Sequence, residues 1–496
     1  MATRRVDKKL FLMVATLACL VGAQVFSAAG ARVEVASRTA QKPTAVPGIH
    51  QAYHGKLLRK PASSKKAPVN KPVPYKGPKL KVQATPVGRD AAEPTIGVLP
   101  DGTAFFAAGT FDGGGGALAR TEIYRSDDGN MTWESVQPEI APGQHESPQS
   151  LDPYVYTDTA GKRVFSVDLY TVSGSYLLWS DDKGETWSRN PLASAGWSVD
   201  HQTFYSGPPP EGFETSGYPA VLYYCTNRVA DVACTRSLDG GIVWTPTGEQ
   251  PYLGEDEEAG GFCGGLHGHA AVDTKGRLFL PKGHCGMPWV AMSEDMGSTW
   301  TRTRVSKYPR TGGPHIEIAT DAEDNVYLVW WSQARQLPML AISRDHGATW
   351  SKPRLIAPPG VTQANFPVVA AGDRGRIAIL FPGSTSKSHD DPSRPWNDYL
   401  VTSTNALSKN PLFVSTTVNV PGDPVRRGDC NQRCGGMFDF LDLFISPLDG
   451  KVWAAISDTC EDTCATPAKG PQKQVGSGIA VKQLSGPSMW APGHKR

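Results

Sequence analysis

Imidazoles and carboxylates recur at one position in a series of similar segments. Glu93 opens EPTIGVLPDG (93–102), Asp152 opens DPYVYTDTAG (152–161), His267 opens HGHAAVDTKG (267–276) and His315 opens HIEIATDAEDN (315–325). His201 begins a related unit with HQTFYS, and Phe366 begins FPVVAAGDRG (366–375). A looser unit supplies Asp439 or Asp442, and Asp200, His269 and Glu317 are neighbours of these positions. Carboxylates beside imidazoles can move protons as general acid and base. That chemistry serves glycoside cleavage or proton abstraction in a polysaccharide lyase. Glu93, Asp152 and Glu317 are the candidate acid/base groups. His201, His267 and His315 are candidate bases or metal ligands. Histidine with carboxylate can also hold a divalent metal. Residues two apart on a strand face one way, so His267 and His269, with His315, form the candidate ligand set. The run Glu255-Asp-Glu-Glu258 just before them can bind calcium or simply be a solvated loop.

These residues can act together only if the fold brings the segment starts together. From about residue 82, short apolar runs alternate with Gly, Pro, Asp and Ser turns and no long helical period appears, which predicts an all-β architecture. Five octapeptides share one pattern: SDDGNMTW (126–133), SDDKGETW (180–187), SLDGGIVW (237–244), SEDMGSTW (293–300) and SRDHGATW (343–350). Their starts are 54, 57, 56 and 50 residues apart, a spacing that suits one four-stranded propeller blade with its loops. Ser and Asp side chains can close a tight turn on nearby backbone groups, Gly permits positive φ, and the Trp leads back into a strand. The octapeptides therefore read as hairpin architecture rather than as catalytic aspartates.

The chain resembles the Asp-box, or BNR, repeat proteins, which include the sialidase superfamily. Three copies match S-x-D-x-G-x-T-W fully; the first has Asn130 at the Gly position and the third has Val243 for Thr. The resemblance covers roughly residues 90–485. It implies boxes on the hairpins between third and fourth strands, away from the functional face. Counting segments with and without a box gives seven units, so a seven-bladed β-propeller is expected, with six blades as the alternative. A strand near Leu80–Thr85 is expected to complete the last blade, because a closed ring removes exposed edges. Sialidases of the resembled superfamily carry an early Arg-Ile-Pro segment whose arginine grips a substrate carboxylate. The corresponding stretch here is Ala92-Glu93-Pro94, with the charge reversed, and no Tyr nucleophile with a Glu partner can be assigned.

The domain organisation follows from composition. Residues 1–30 read as an export signal: Arg4, Arg5, Lys8 and Lys9, an apolar run from Leu10 to Phe26, then small residues. Residues 31–81 read as a basic Pro/Lys-rich linker, either a spacer or a tether to an anionic surface, and 82–496 as the propeller. Residues 1–81 carry a formal +14 against −12 for 82–496, within a total of +2. The acidic body and the lack of aromatics among the basic residues argue against nucleic acid as partner. Membrane contact is expected only through the signal or the basic linker. Eight cysteines beyond Cys19 suit disulfides in an exported chain. Cys225 and Cys234 flank a short turn, and Cys263 with Cys285 would tie a loop to a neighbouring strand. Cys430, Cys434, Cys460 and Cys464 suit two further disulfides, with zinc as the alternative.

The expectation is thus a secreted or cell-envelope monomer with a His/carboxylate site at its central channel. It is either a carbohydrate-active hydrolase or lyase, with a glycan or envelope polymer as partner and a divalent metal as the candidate cofactor, or a non-catalytic binding or scaffolding propeller.

Overall fold

The computed structural model describes residues 43–58, 69–110, 119–141, 144–145, 149–170, 174–190, 199–228, 231–256, 261–307, 316–387, 391, 393–428, 441–460, 464 and 476–494. The expected export signal, His315, Glu257, Glu258, Cys430 and Cys434 lie outside them. Among the described residues the structure is strand and turn apart from one 3-10 turn at His284–Gly286. No helix there is long and apolar enough to cross a membrane.

The fold is a β-propeller, and the described ladders contain seven successive antiparallel units. Unit 2 shows the plan. Gln149–Asp158, Arg163–Tyr170, Gly174–Ser180 and Ser188–Asn190 pair in order from the inside outwards. Unit 3 runs from Val199–Gly207 to Thr245–Pro246, unit 4 from Ala271–Val272 to Thr301–Arg304, and unit 5 from Ile316–Thr320 to Arg354–Leu355. Unit 6 ends in Leu412–Thr417. The second strands read as continuous apolar runs because neighbouring units cover both of their faces. Val221–Arg228 and Ile377–Ser384 are buried along almost their whole length. Third strands such as Gly174–Ser180 alternate between buried and half-buried positions.

One strand closes the ring. Lys81–Val98 first pairs with Gly476–Ser485 as the outer strand of unit 7, with Lys81 to Ala91 in register. It then pairs from Ala92 to Val98 with Ala104–Thr110 as the inner strand of unit 1. This is the closure expected near Leu80–Thr85.

The five octapeptides sit between third and fourth strands, as the resemblance implies. Because first strands run away from their starts and third strands run the same way, these turns lie at the opposite end of the units from the first-strand starts. In each turn the Ser hydroxyl accepts the N–H of the fifth residue at 2.7–3.1 Å. The Asp accepts from the backbone and, where Thr is present, from its hydroxyl, as in Thr186 to Asp182 at 2.8 and 2.6 Å. The Thr186 bonds hold the Asp182 carboxyl down at about 2. Two successive residues take positive φ, for example Lys183 and Gly184. Asn130 manages this in the first copy (φ 80), because Asn tolerates the left-handed region better than most residues. Asn130 is fully buried, and its amide donates to Ala480 O at 3.2 Å. The Asn130-Met-Thr132 sequon is therefore closed to a glycan in the folded chain.

Within the linker expected over 31–81, the described residues include strands that pair with the propeller. Thr44–Val46 pairs with the closing strand, Gln51–His54 with Leu412–Thr417, and Lys56–Leu57 with Arg354–Leu355. The segment thus adds a fifth strand to units 7, 6 and 5 in turn. The returning chain is held by Asn70, which donates to Leu355 O and Ala357 O and accepts from Lys56 N. Proline and lysine misled because an edge strand needs only one row of main-chain bonds and no apolar period. Both residues also protect a sheet edge against further pairing. Tyr53 anchors the strap: it is fully buried, its hydroxyl donates to Ile356 O, and its ring stacks on Phe413. Replacing Tyr53 with Ala should cost about 3–5 kcal/mol in urea unfolding. A loss below about 1 kcal/mol would show that the strap is not part of the cooperative unit.

Candidate functional site

The first-strand starts carry a shared irregularity. The ladder slips between Ala92 and Thr95, between Ser150 and Pro153, and between Asp200 and Thr203. Glu93, His201 and Phe366 stand at three of these starts with φ of 51, 49 and 40°. Non-glycine residues seldom adopt such backbone, and it clusters at functional sites. A bulge re-aims the side chain at its position, which is how a strand start can turn a His or Glu off the regular pleat.

Side chains of adjacent units then hold the freed backbone. Asp442 of unit 7 accepts Ile96 N at 2.9 Å, and Thr95 of unit 1 accepts Val155 N at 2.8 Å. Asp152 accepts His201 N at 3.2 Å, and Thr203 accepts Ala270 N at 3.0 Å. Glu317 of unit 5 accepts His269 N at 3.0 Å.

The densest chemistry lies at units 4 and 5. His269 Nδ1 is 3.0 Å from Glu317 Oε1, with both side chains buried. Gly268 makes this approach feasible, because a Cβ there would fall 1.6 Å from Ile316 O. The ring of His269 lies 5.5 Å from that of His201, stacked, and 5.2 Å from Tyr154; His201 and His267 are 5.6 Å apart, edge to face. Burial pushes Glu317 above the usual carboxylate range, against the pull of His269. Burial opposes a charge on His269, but Glu317, Asp442 and Asp152 together hold its proton more firmly than in water. Burial likewise pushes Asp442 up to about 6, while Ile96 N, His269 and Leu443 N pull it back. His267 is different. Burial drives it down to about 3, and its Nδ1 meets Gly268 O at 2.7 Å. It is a neutral imidazole at any ordinary pH.

The sequence-derived candidates therefore separate. Asp152, His201, His267, His269 and Glu317 are brought together by rings and hydrogen bonds. Glu93 is buried at the start of unit 1, where Thr95 and Ile96 also hydrogen-bond to neighbouring units. His315 lies outside the described residues. The expected strand through His267 and His269 is replaced by a loop: the unit-4 inner strand begins at Ala271, and His267 makes a lone bridge to Lys282. The ligand set expected at His267, His269 and His315 includes a residue outside the described ones; among the described residues, metal-ligating atoms converge within 4.8 Å at Cys263, His284 and Cys285. Those two sulfurs form a disulfide, as do Cys225–Cys234 and Cys460–Cys464. Asp442 was one of two alternatives in the sequence, and Tyr154 and Tyr205 were missed. Their signal is a tyrosine two residues beyond Asp152 and four beyond His201, in DPYVY and HQTFY.

No protein-family model and no curated protein matches the chain. Among solved structures, it is similar to a protein of unknown function from Dyadobacter fermentans (TM-score 0.44, 14% identity, covering 83% of this chain and 100% of that one). It is also similar to the Penicillium chrysogenum alpha-L-arabinanase (0.40, 14%, 66% and 93%) and to the NanB sialidase from Streptococcus pneumoniae (0.39, 13%, 81% and 70%).

The raised Asp442 gives a signed expectation. A carboxyl at about 6 when folded and about 3.9 when unfolded weakens the fold as pH climbs between those values, and the loss is complete and constant above them. Asp442→Asn should therefore gain thermal stability relative to the parent as pH rises from 4 to 7, and a carboxyl titrating near 6 should vanish from the NMR spectrum. Parallel stability curves for the two proteins would refute the assignment.

Proposed function

We propose that this chain is an exported, carbohydrate-active propeller of the Asp-box kind that cleaves a glycosidic linkage by general acid–base catalysis at the His269–Glu317–Asp442 cluster. The carrying observation is the buried His269–Glu317 contact at 3.0 Å, flanked by carboxylates from two other units. Groups whose surroundings move their proton affinities towards neutrality are suited to give and take protons near pH 7. His269 with Glu317 is the proton donor, and Asp442 or Asp152 supplies the second carboxylate. His201 and Tyr154 position the donor through ring contacts. Disulfides and the basic apolar N-terminus support action outside the cytoplasm on a glycan or envelope polymer.

A second reading is favoured by the hydrogen bonds themselves. Asp152, Glu317 and Asp442 each spend an oxygen on a neighbouring backbone N–H. Carboxylates with that task can serve a non-catalytic glycan-binding channel just as well.

Purified protein screened against neutral and acidic glycans separates the two. Catalysis predicts reducing ends or unsaturated products from a responsive glycan, and a loss of at least about 100-fold in kcat for Glu317→Gln with the folded baseline retained, since Gln keeps an acceptor for His269 N. Saturable binding with no product from any glycan would sink the enzymatic reading and leave the binding one.

A further inference from the structure

A second site lies at the other end of the units, on the side of the octapeptide turns. A groove of about 330 Å³ runs between units 5 and 6, within the size range of small-ligand sites. Its floor is apolar, with Leu57, Ile342, Trp350 and Leu407. Its polar wall is cationic: Arg344, Lys352 and Arg354 line it, and no Asp or Glu does.

The same molecule provides an internal comparison. The groove between units 1 and 2 is built at the same place in the repeat. Aligning Trp133 with Trp350 sets Asp127 against Arg344, Glu134 against Ser351, Ser135 against Lys352 and Gln137 against Arg354. Aligning Ser180 with Ser403 sets Glu185 against Ser408. In the first groove Arg125 is saturated by Asp127, Glu134 and Glu185 at 2.5–3.0 Å. In the second, each of those carboxylates is replaced by a hydroxyl or a cation. Among the described residues, Arg344, Lys352 and Arg354 have no carboxylate in ion-pair range. Their guanidinium groups are instead aimed by backbone carbonyls: Arg344 donates to Leu407 O, and Arg354 donates to Gly55 O and, at 3.1 Å, to Lys409 O. Asp345 next door is spent inside its turn on Thr349.

Carbonyl-held guanidiniums with donors to spare suit an oxyanion, and the Trp350 and leucine surface beside them suits the C–H face of a ring. We infer that the groove between units 5 and 6 binds an acidic sugar residue, its carboxylate on Arg344, Lys352 and Arg354 and its ring against Trp350. The site is independent of the channel cluster. A polymer of uronic acids held here would be retained by the propeller whatever happens at the opposite face.

Calorimetric titration of the full chain with an oligogalacturonate tests this, beside a neutral oligosaccharide of equal length and inorganic sulfate. The comparison variant carries Arg344→Asp and Lys352→Ser, which install the residues of unit 1 at two exposed positions. Saturable binding of the oligouronate is expected, weakened at least about tenfold in the double variant and unchanged in Glu317→Gln. Thermal unfolding of the double variant should match the parent. No oligouronate binding, equal binding by the double variant, equal affinity for the neutral sugar, or full displacement by equimolar sulfate would each overturn the inference.

Discussion

A first strand has its full ladder on one side only, and even where its start touches the other side, as Ser150 of unit 2 does with Ala119 of unit 1, further backbone N–H groups there must find acceptors elsewhere. A buried N–H left without one costs about 1–3 kcal/mol. Here the acceptors come from an adjacent unit: Asp442 for Ile96, Thr95 for Val155, Asp152 for His201, Thr203 for Ala270, and Glu317 for His269. These bonds tie five adjacent pairs of units at the same level of the fold. They also decide which side chains face one another. A carboxylate reaching for a neighbour's backbone is carried to the place where imidazoles and tyrosines from other units already converge.

That arrangement links architecture to reactivity. Glu317 is drawn in by His269 N and so comes to rest against the His269 ring. Burial then works on both groups, and the shortage of water that raises Glu317 also strengthens its hold on the His269 proton. The positive φ of His201 and Glu93 belongs to the same economy of space. A regular strand would continue its pleat, whereas the bulge turns one residue per unit and exposes an N–H for the neighbour to claim. Gly268 is required for a related reason, since unit 5 passes so close that no side chain fits between the two histidines.

Much of this was readable in the sequence, and the rest has identifiable reasons for being hidden. The octapeptides carry their own hydrogen-bond logic in residue type, Ser to Gly N–H and Asp to Thr, so the turns and the unit length follow from local chemistry. The alignment of Glu93, Asp152 and Phe366 also follows, because each stands nine residues before a Gly turn. Asp442 was ambiguous because unit 7 has no octapeptide to fix its register. The fifth strands at Thr44–Leu57 were invisible because main-chain pairing at an edge leaves no trace in hydrophobic period. His267 and His269 misled because alternation presumes a strand, and the inner strand of unit 4 begins only at Ala271. The tyrosines were overlooked because Tyr in a β-run reads first as packing.

A repeated fold also explains why the two ends of the propeller differ in freedom. The turn-forming Ser, Asp, Gly and Trp are fixed by the geometry they must build, and the residues between and just after them are not. Position by position, units 1 and 5 share that frame while Asp127 and Glu134 give way to Arg344 and Ser351. At the opposite end the same freedom is narrower, because a residue at a first-strand start must also accept or release a backbone bond. Asp152, Glu317, Asp442, Thr95 and Thr203 meet that demand here. Side chains of one small chemical class are thus concentrated around the channel by the demands of ring closure, and any proton chemistry there uses groups the fold already needed for hydrogen bonding.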